Sequence, residues 1–521
     1  MSKNSIIKGT LILTIAGFAT RIIGFFYRIY LSNLLRPEDM GVYQLIFPVY
    51  GICFTLYASG IQTSISRLVA AEIGKHDTSN LKRILRTGMT FSLLIAITLS
   101  ILLNRNASFI ATNILLESRC TTPLKILSYV FPFCGITACI NGYYYGIKRA
   151  GVPAMTQLFE QVIRVASVYV LAPMFSLGNS EKACELAVWG IVFGEIASNS
   201  YNIISMFIVK PSKLHEAYKL KIQALRSRKS HKKERVTYAS SLFKLALPLT
   251  SNRLLISILS SIEAVMIPSM LKQYGLSGTE ALSVYGVLTG MSIPFIMFPS
   301  TITNSFAVLL LPTVSEAQAA NNNTMINKTT ALSIKYSLII GIMSTGIFIT
   351  FGKSLGTLVF GNESAGVFLT ILAWLCPFLY LTTTLGSILN GLGKPHVTFL
   401  NTVVGLSVRI IFVLFLVPQK GIYGYLIGML VSQTIISTLD TIAIFKNVKV
   451  TFNAIDWIVK PGLITAFVGF LTNRSYLYIK DHASMSALAL LLCFCLFLII
   501  CYIIMLFITK AIRIDEFKRR N

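Results

Sequence analysis

The chain has 521 residues, 54% of them hydrophobic and 13% charged, and a formal net charge of +26. A soluble protein of this length carries about a quarter charged residues, so the composition excludes an ordinary set of globular domains. Apolar runs of about 20 residues recur from end to end. Each is long enough to cross a bilayer as a helix, and none alternates as barrel strands do.

Fourteen spans are expected, at 9–34, 41–72, 84–104, 123–147, 151–176, 184–209, 241–270, 281–312, 331–352, 365–391, 395–418, 421–445, 455–472 and 485–509. Lys3 and Lys8 precede the first, which is too long for the apolar core of a signal peptide and lacks a small-residue cleavage site. Within it Gly17, Arg21, Gly24 and Arg28 are spaced 4, 3 and 4, and so share one helix face. A lone Arg at mid-bilayer costs about 3 kcal/mol on insertion scales, so both should face a wet or paired surrounding. Span two carries the stripe Ser59, Thr63, Ser66 and Arg67, with Arg67 near enough to the membrane edge to snorkel. Span five holds Glu160 and Arg164 one turn apart, an ion pair by spacing, which serves structure as readily as ligand binding.

The segment "KPSKLHEAYKLKIQALRSRKSHKKER" (210–235) separates spans six and seven. It is expected to set topology and to lie on anionic lipid. Span seven carries Arg253, with Glu263 as a candidate partner. Pro294 and Pro299 make span eight the best hinge candidate, and Arg409 lies deep in span eleven. Glu195 and Asp440 complete the acids well inside spans.

Of the 46 Lys and Arg, thirty fall at the two termini, in even-numbered loops or in the span ends that adjoin them, ten in odd-numbered loops or their adjoining span ends, and six arginines further inside spans. By the positive-inside rule both termini are cytoplasmic. That distribution, with no accompanying binding fold, argues against a nucleic-acid partner. The nine Cys form no CxxC pair and read as apolar packing residues. The five His lie in loops or at span ends. With no Walker A motif, His relay or Ser-His-Asp set, neither an enzyme nor a metal or cofactor is expected.

"MGVYQLIFPVYG" (40–51) resembles "LSVYGVLTGMSIPF" (282–295), and "RAGVPAMTQ" (149–157) resembles "GLGKPHVTF" (391–399), both at a shift of 242. Such a repeat pairs spans one to six with seven to twelve as parallel repeats. The expected organisation is an all-α polytopic protein with an N-terminal lobe (1–209), a basic cytoplasmic linker (210–240), a C-terminal lobe (241–450), and two further spans with a basic tail (451–521). Two lobes around a cavity give alternating access by rocking.

The intramembrane charge has a positive excess. Arg21, Arg28, Arg67, Arg164, Arg253 and Arg409 are therefore the candidate substrate contacts, and Glu160 and Glu263 the candidate ion-pair or coupling acids. Arginine stays charged and presents a planar fork to phosphate or carboxylate oxygens. Two arginines two turns apart, roughly 10 Å along the axis, suit a diphosphate. Asn141, Asn390, Gln157, Tyr27 and Tyr143 to Tyr145 are candidates for a sugar beside it.

"KGTLILTIAGFATRIIGFFYRIYLSNLLRPEDMGVYQLIFPVYG" and "SGIQTSISRLVAAEIG" resemble the polysaccharide and lipid-linked oligosaccharide flippases of the multidrug/oligosaccharidyl-lipid/polysaccharide exporter superfamily, and within it the stage V sporulation protein B group. The resemblance implies translocation of an undecaprenyl-diphosphate-linked saccharide such as lipid II across the cell membrane, for cell-wall or spore-cortex synthesis, with wall synthases as partners. Thr20-Arg21 matches the Ser/Thr-Arg of the first span in related lipid II flippases. Their next arginine follows by six residues, and Arg28 follows by seven. A cation-coupled multidrug exporter and a non-transporting scaffold are the alternatives. The first requires intramembrane acids to bind organic cations, and spans one and two have none at mid-bilayer.

Overall fold

The structure, a computed structural model, describes residues 3–74, 80–175, 179–208, 238–480, 482 and 485–512. Helices form at each expected span: α1 (Lys3–Leu34), α2 (Pro37–Ile73), α3 (Leu81–Ile114), α4 (Ser118–Ser128 and Val130–Gly146), α5 (Gly151–Phe175), α6 (Ser180–Ile208) and α7 (Tyr238–Gln273). There follow α8 (Gly278–Met297, then Ser300–Ala319), α9 (Asn323–Phe360), α10 (Glu363–Gly391), α11 (Pro395–Phe415), α12 (Ile422–Asn447), α13 (Ile455–Lys480) and α14 (Ala487–Ile508). No strand occurs among the described residues. The protein is an all-α, multi-pass membrane protein.

Ten of these helices are long and apolar enough to cross a membrane, or up to eleven if the pair in α4, bent by 46°, counts as one span. The expected fourteen is not reached on that criterion. Helices α1, α5 and α6 fall outside it, and these carry Arg21 and Arg28, the Glu160–Arg164 pair, and Glu181, Lys182, Glu185 and Glu195. The basic linker 210–235 and most of the C-terminal tail lie outside the described residues.

The chain divides into two units. Unit 1 comprises residues 1–24 and 45–265, and unit 2 comprises 25–44 and 266–521. Helices α1, α2 and α7 each contribute to both. The core of unit 1 includes Ile61, Ile65 and Val69 of α2, Ile84 of α3, Tyr143 and Tyr144 of α4, and Leu242 of α7. That of unit 2 includes Val314 of α8, Ile334 of α9, Leu385 and Ile388 of α10, and Trp457 of α13. Helix ends follow local chemistry. Ser277 and Glu280 form a reciprocal capping box at the start of α8, Asn322, Asn362 and Ser486 cap α9, α10 and α14, and Gly361 ends α9 in the left-handed conformation.

Prolines mark where helices restart. Pro48 opens Phe47–Phe54 inside α2, Pro294 opens Ile293–Met297, Pro299 occupies the break before Ser300, and Pro377 opens Cys376–Gly391. A missing N–H costs little in a first helical turn. Two widened π-helical turns lie nearby, at Thr55–Ser59 in α2 and Val287–Ser292 in α8. Within unit 2 the first turns of α2 meet α8 backbone to backbone. A Cβ on Gly41 would lie 2.3 Å from the Leu282 carbonyl oxygen, and one on Gly286 2.2 Å from that of Pro37.

The α4–α5 and α10–α11 turns have the same hydrogen-bond pattern. Arg149 N–H donates to Tyr144 O and Lys394 N–H to Leu389 O; Lys148 N–H donates to Tyr145 O and Gly393 N–H to Asn390 O. Lys148 (φ 59°) and Gly393 (φ 74°) both take the left-handed conformation. They are 245 residues apart, not the 242 that the Gly-x-Pro match suggests, so Lys148 stands where the second copy has glycine.

Candidate functional site

The intramembrane arginines divide by what surrounds them. In unit 1, Arg253 of α7 donates from Nη1 to the Ser59 carbonyl oxygen at 3.0 Å, to the Ser59 hydroxyl, and to Thr63 Oγ1 at 3.5 Å. Ser59 ends the π turn of α2, and the widened turn presents its carbonyl to α7. Thr63 also donates to that carbonyl, at 3.1 Å. Arg67, one turn beyond Thr63, is close enough to repel the Arg253 guanidinium. Both side chains are exposed, and among the described residues no ion pair involves either. The expected partner Glu263 does not reach Arg253: it lies ten residues on in the same helix and is buried. The polar stripe of α2 supplies neutral acceptors instead.

Arg164 is arranged differently. It pairs with Glu160 of its own helix, as the spacing requires, and Nη1 also approaches Gln161 Oε1 at 3.5 Å. Arg21 is exposed on the part of α1 that belongs to unit 1, where Thr20 donates to Ala16 O and Gly24 lies against Gln161 of α5. Gly17 has open space beside it. Arg28 is exposed on the part of α1 that belongs to unit 2, next to the turn where Phe25 stacks on Phe298 with ring centroids 4.2 Å apart.

In unit 2, Arg409 of α11 donates from Nε to Ser432 Oγ of α12 at 3.0 Å. It borders a cavity of about 180 Å³ walled by apolar side chains such as Ile296, Leu375 and Met429, with Tyr425 and Gln433 as further polar neighbours. Gln433 is fixed by a 2.9 Å bond to Thr382.

The neutral sugar-contact candidates are mostly packing residues. Tyr27, Tyr143 and Tyr144 are buried, Tyr144 OH lies 3.3 Å from Ser205 Oγ, and Asn141 is buried against Asn202. Gln157 and Asn390 are exposed. Among the described residues no group of three or more His, Cys, Asp or Glu could hold a metal ion. The cysteines carry no disulfide, and six of the nine are buried. Sequence reasoning missed the role of the Ser59 carbonyl, since "TLYAS" contains neither the Pro nor the Gly that would announce a break in a helix.

A family model described as polysaccharide biosynthesis protein matches residues 6–318. The chain belongs to that family. It is thereby a member of the multidrug/oligosaccharidyl-lipid/polysaccharide exporter superfamily, whose relatives are transporters and flippases, not enzymes. Stage V sporulation protein B of Bacillus subtilis (strain 168) is 27% identical, over 100% of this chain and 98% of its own length. The lipid II flippase MurJ of the same organism is 20% identical, over 78% of this chain and 76% of its own. Among solved structures, lipid II flippase MurJ in an inward closed conformation matches with a TM-score of 0.71 at 14% identity, covering 96% of this chain and 100% of that one. An inward-facing multidrug resistance MATE family transporter matches at 0.63 and 15%, covering 83% and 98%. These likenesses show the fold.

Proposed function

We propose that the chain is a flippase that moves an undecaprenyl-diphosphate-linked saccharide of the lipid II type across the cell membrane, serving cell-wall or spore-cortex synthesis. The family, and relatives named as a sporulation protein and a lipid II flippase, support the reading. The observation that carries it is the Arg67–Arg253 arrangement: two permanently charged forks on neighbouring helices of unit 1, of which Arg253 is held by the neutral acceptors Ser59 and Thr63, and neither of which has a carboxylate partner among the described residues. Keeping two like charges close is costly unless something anionic joins them. A diphosphate offers the oxygens such a pair requires. Arg21, Arg28 and Arg409 are further contacts in this reading, while Arg164 serves mainly to neutralise Glu160.

The lobes 1–209 and 241–450 rock in alternating access, with both termini cytoplasmic and the basic linker on anionic lipid. Wall synthases are the partners that receive the product. Purified protein in liposomes should move labelled lipid II, and Arg67→Ala with Arg253→Ala should abolish the movement while leaving the protein folded. Normal flipping by that double variant would refute the assignment. A drug-export reading predicts resistance to cationic dyes on overexpression, and none is expected.

A further inference from the structure

Glu195 of α6 is 5% exposed, inside unit 1 and in the middle of an expected span. Its nearest charged groups are on α5. Glu160 and Arg164 both act on it through space, one repelling and one attracting. Their helices are held at close quarters: a Cβ on Gly194 would lie 2.8 Å from the Glu160 carbonyl oxygen and 3.3 Å from Arg164 Cβ. The close approach of α5 and α6 sets Glu160 and Arg164 on the turns that face Gly194, next to Glu195.

The remaining surroundings of Glu195 are neutral donors. Ser198 donates to Oε2 at 3.3 Å, and the thiol of Cys134 on α4 is a further neutral neighbour. Behind Cys134 stand Tyr50, with its hydroxyl 3.6 Å from Sγ, and Tyr57, both from α2. Lys125, on the first part of α4 that also packs on α6, is exposed. Among the described residues the balance is thus two carboxyls against one guanidinium, with no second cation acting on Glu195. Since an uncompensated charge in such a place is costly, the cluster is neutral only when it holds one proton. Glu160 and Arg164 have side chains 23% and 21% exposed, so the buried acid has a polar route outward.

We propose that this cluster is a proton-binding site, with Glu195 as the carrier and the Glu160–Arg164 pair as its path to water, and that its proton is the coupling ion of transport. In the loaded state the Glu195 carboxyl keeps its O–H bond and the three groups sum to zero. On release that bond breaks, the proton passes to water as hydronium, and the cluster is left at −1. Coupling to transport rests on the flippase reading, and the proton site itself does not.

The test separates the two. Infrared difference spectra of the full-length protein in detergent should show the carbonyl band of a protonated carboxylic acid near neutral pH, fading as the pH is raised. Glu195→Gln should remove it and Glu195→Asp should retain one. Glu160→Gln should also remove it near neutral pH, because Arg164 then has only Glu195 to balance. Thermal unfolding checks that each variant is folded. Absence of the band in the wild type, or its persistence in folded Glu195→Gln, overturns the site. In liposomes carrying lipid II, a gradient of one pH unit should bias the steady distribution by up to about tenfold per proton, and Glu195→Gln should ignore it. A distribution that follows a sodium gradient and ignores the proton gradient overturns the coupling. A normal band in a protein that flips no lipid-linked saccharide leaves the site standing and sinks the flippase reading.

Discussion

Arg164 and Arg253 are both in unit 1 and meet the cost of a charge within an expected membrane span in different ways. Arg164 has a carboxylate one turn before it, and Arg253 has only a carbonyl and two hydroxyls. Their substitutions should differ accordingly. Arg253→Ala removes a charge-assisted contact worth about 1.5–3 kcal/mol to an anionic ligand, a loss of roughly 10- to 150-fold in affinity, read as weakened binding of lipid II with unchanged thermal stability. Arg164→Ala leaves the Glu160 carboxylate without its cation, beside the protonated Glu195, and should lower the unfolding temperature. Adding Glu160→Gln should restore much of it, which a double-mutant cycle on thermal unfolding measures. The Glu160–Arg164 pair was legible from the sequence because four residues of helix fix it. The partners of Arg253 were not, because 190 or more residues separate it from Ser59 and Thr63, and the same-helix acid Glu263 was the more visible candidate.

Elements show the same division. Helix positions followed from runs of apolar residues, and most of the intramembrane prolines proved to open new helical segments, as their missing N–H favours. Register between repeats was not legible, because the Gly-x-Pro match is three residues out from the turn that recurs. Lys148 exposes the mismatch: a lysine in the left-handed region is strained by roughly 1 kcal/mol. Lys148→Gly should therefore raise the unfolding temperature slightly, and Gly393→Ala should lower it. At the meeting of α2 and α8 the absence of side chains is structural. Gly286→Val would drive carbons into the Pro37 carbonyl and the Gly41 backbone, and should abolish folded protein in the membrane, measured by size-exclusion profile.

At the scale of the whole molecule, composition alone established a multi-pass helical protein, whereas the number of crossings depends on how charged helices are counted. The three that fall outside the apolar criterion, α1, α5 and α6, carry the charges on which the functional reading depends. The charge distribution predicts that single cysteines placed within 210–235 react with a membrane-impermeant thiol reagent only from the cytoplasmic side, and labelling of intact cells from outside would reverse the topology.

The widened turn at Thr55–Ser59 gives α2 one residue more than a regular helix needs over that stretch. Ordinarily, shortening a packed helix by one position swings everything after it through about 100° and ruins the core. Here the slack would absorb the deletion: Ile61, Ile65 and Val69 would keep their places, and only the Ser59 carbonyl would withdraw from Arg253. The chain thus carries a site where an in-frame loss of a single codon should spare assembly and silence transport.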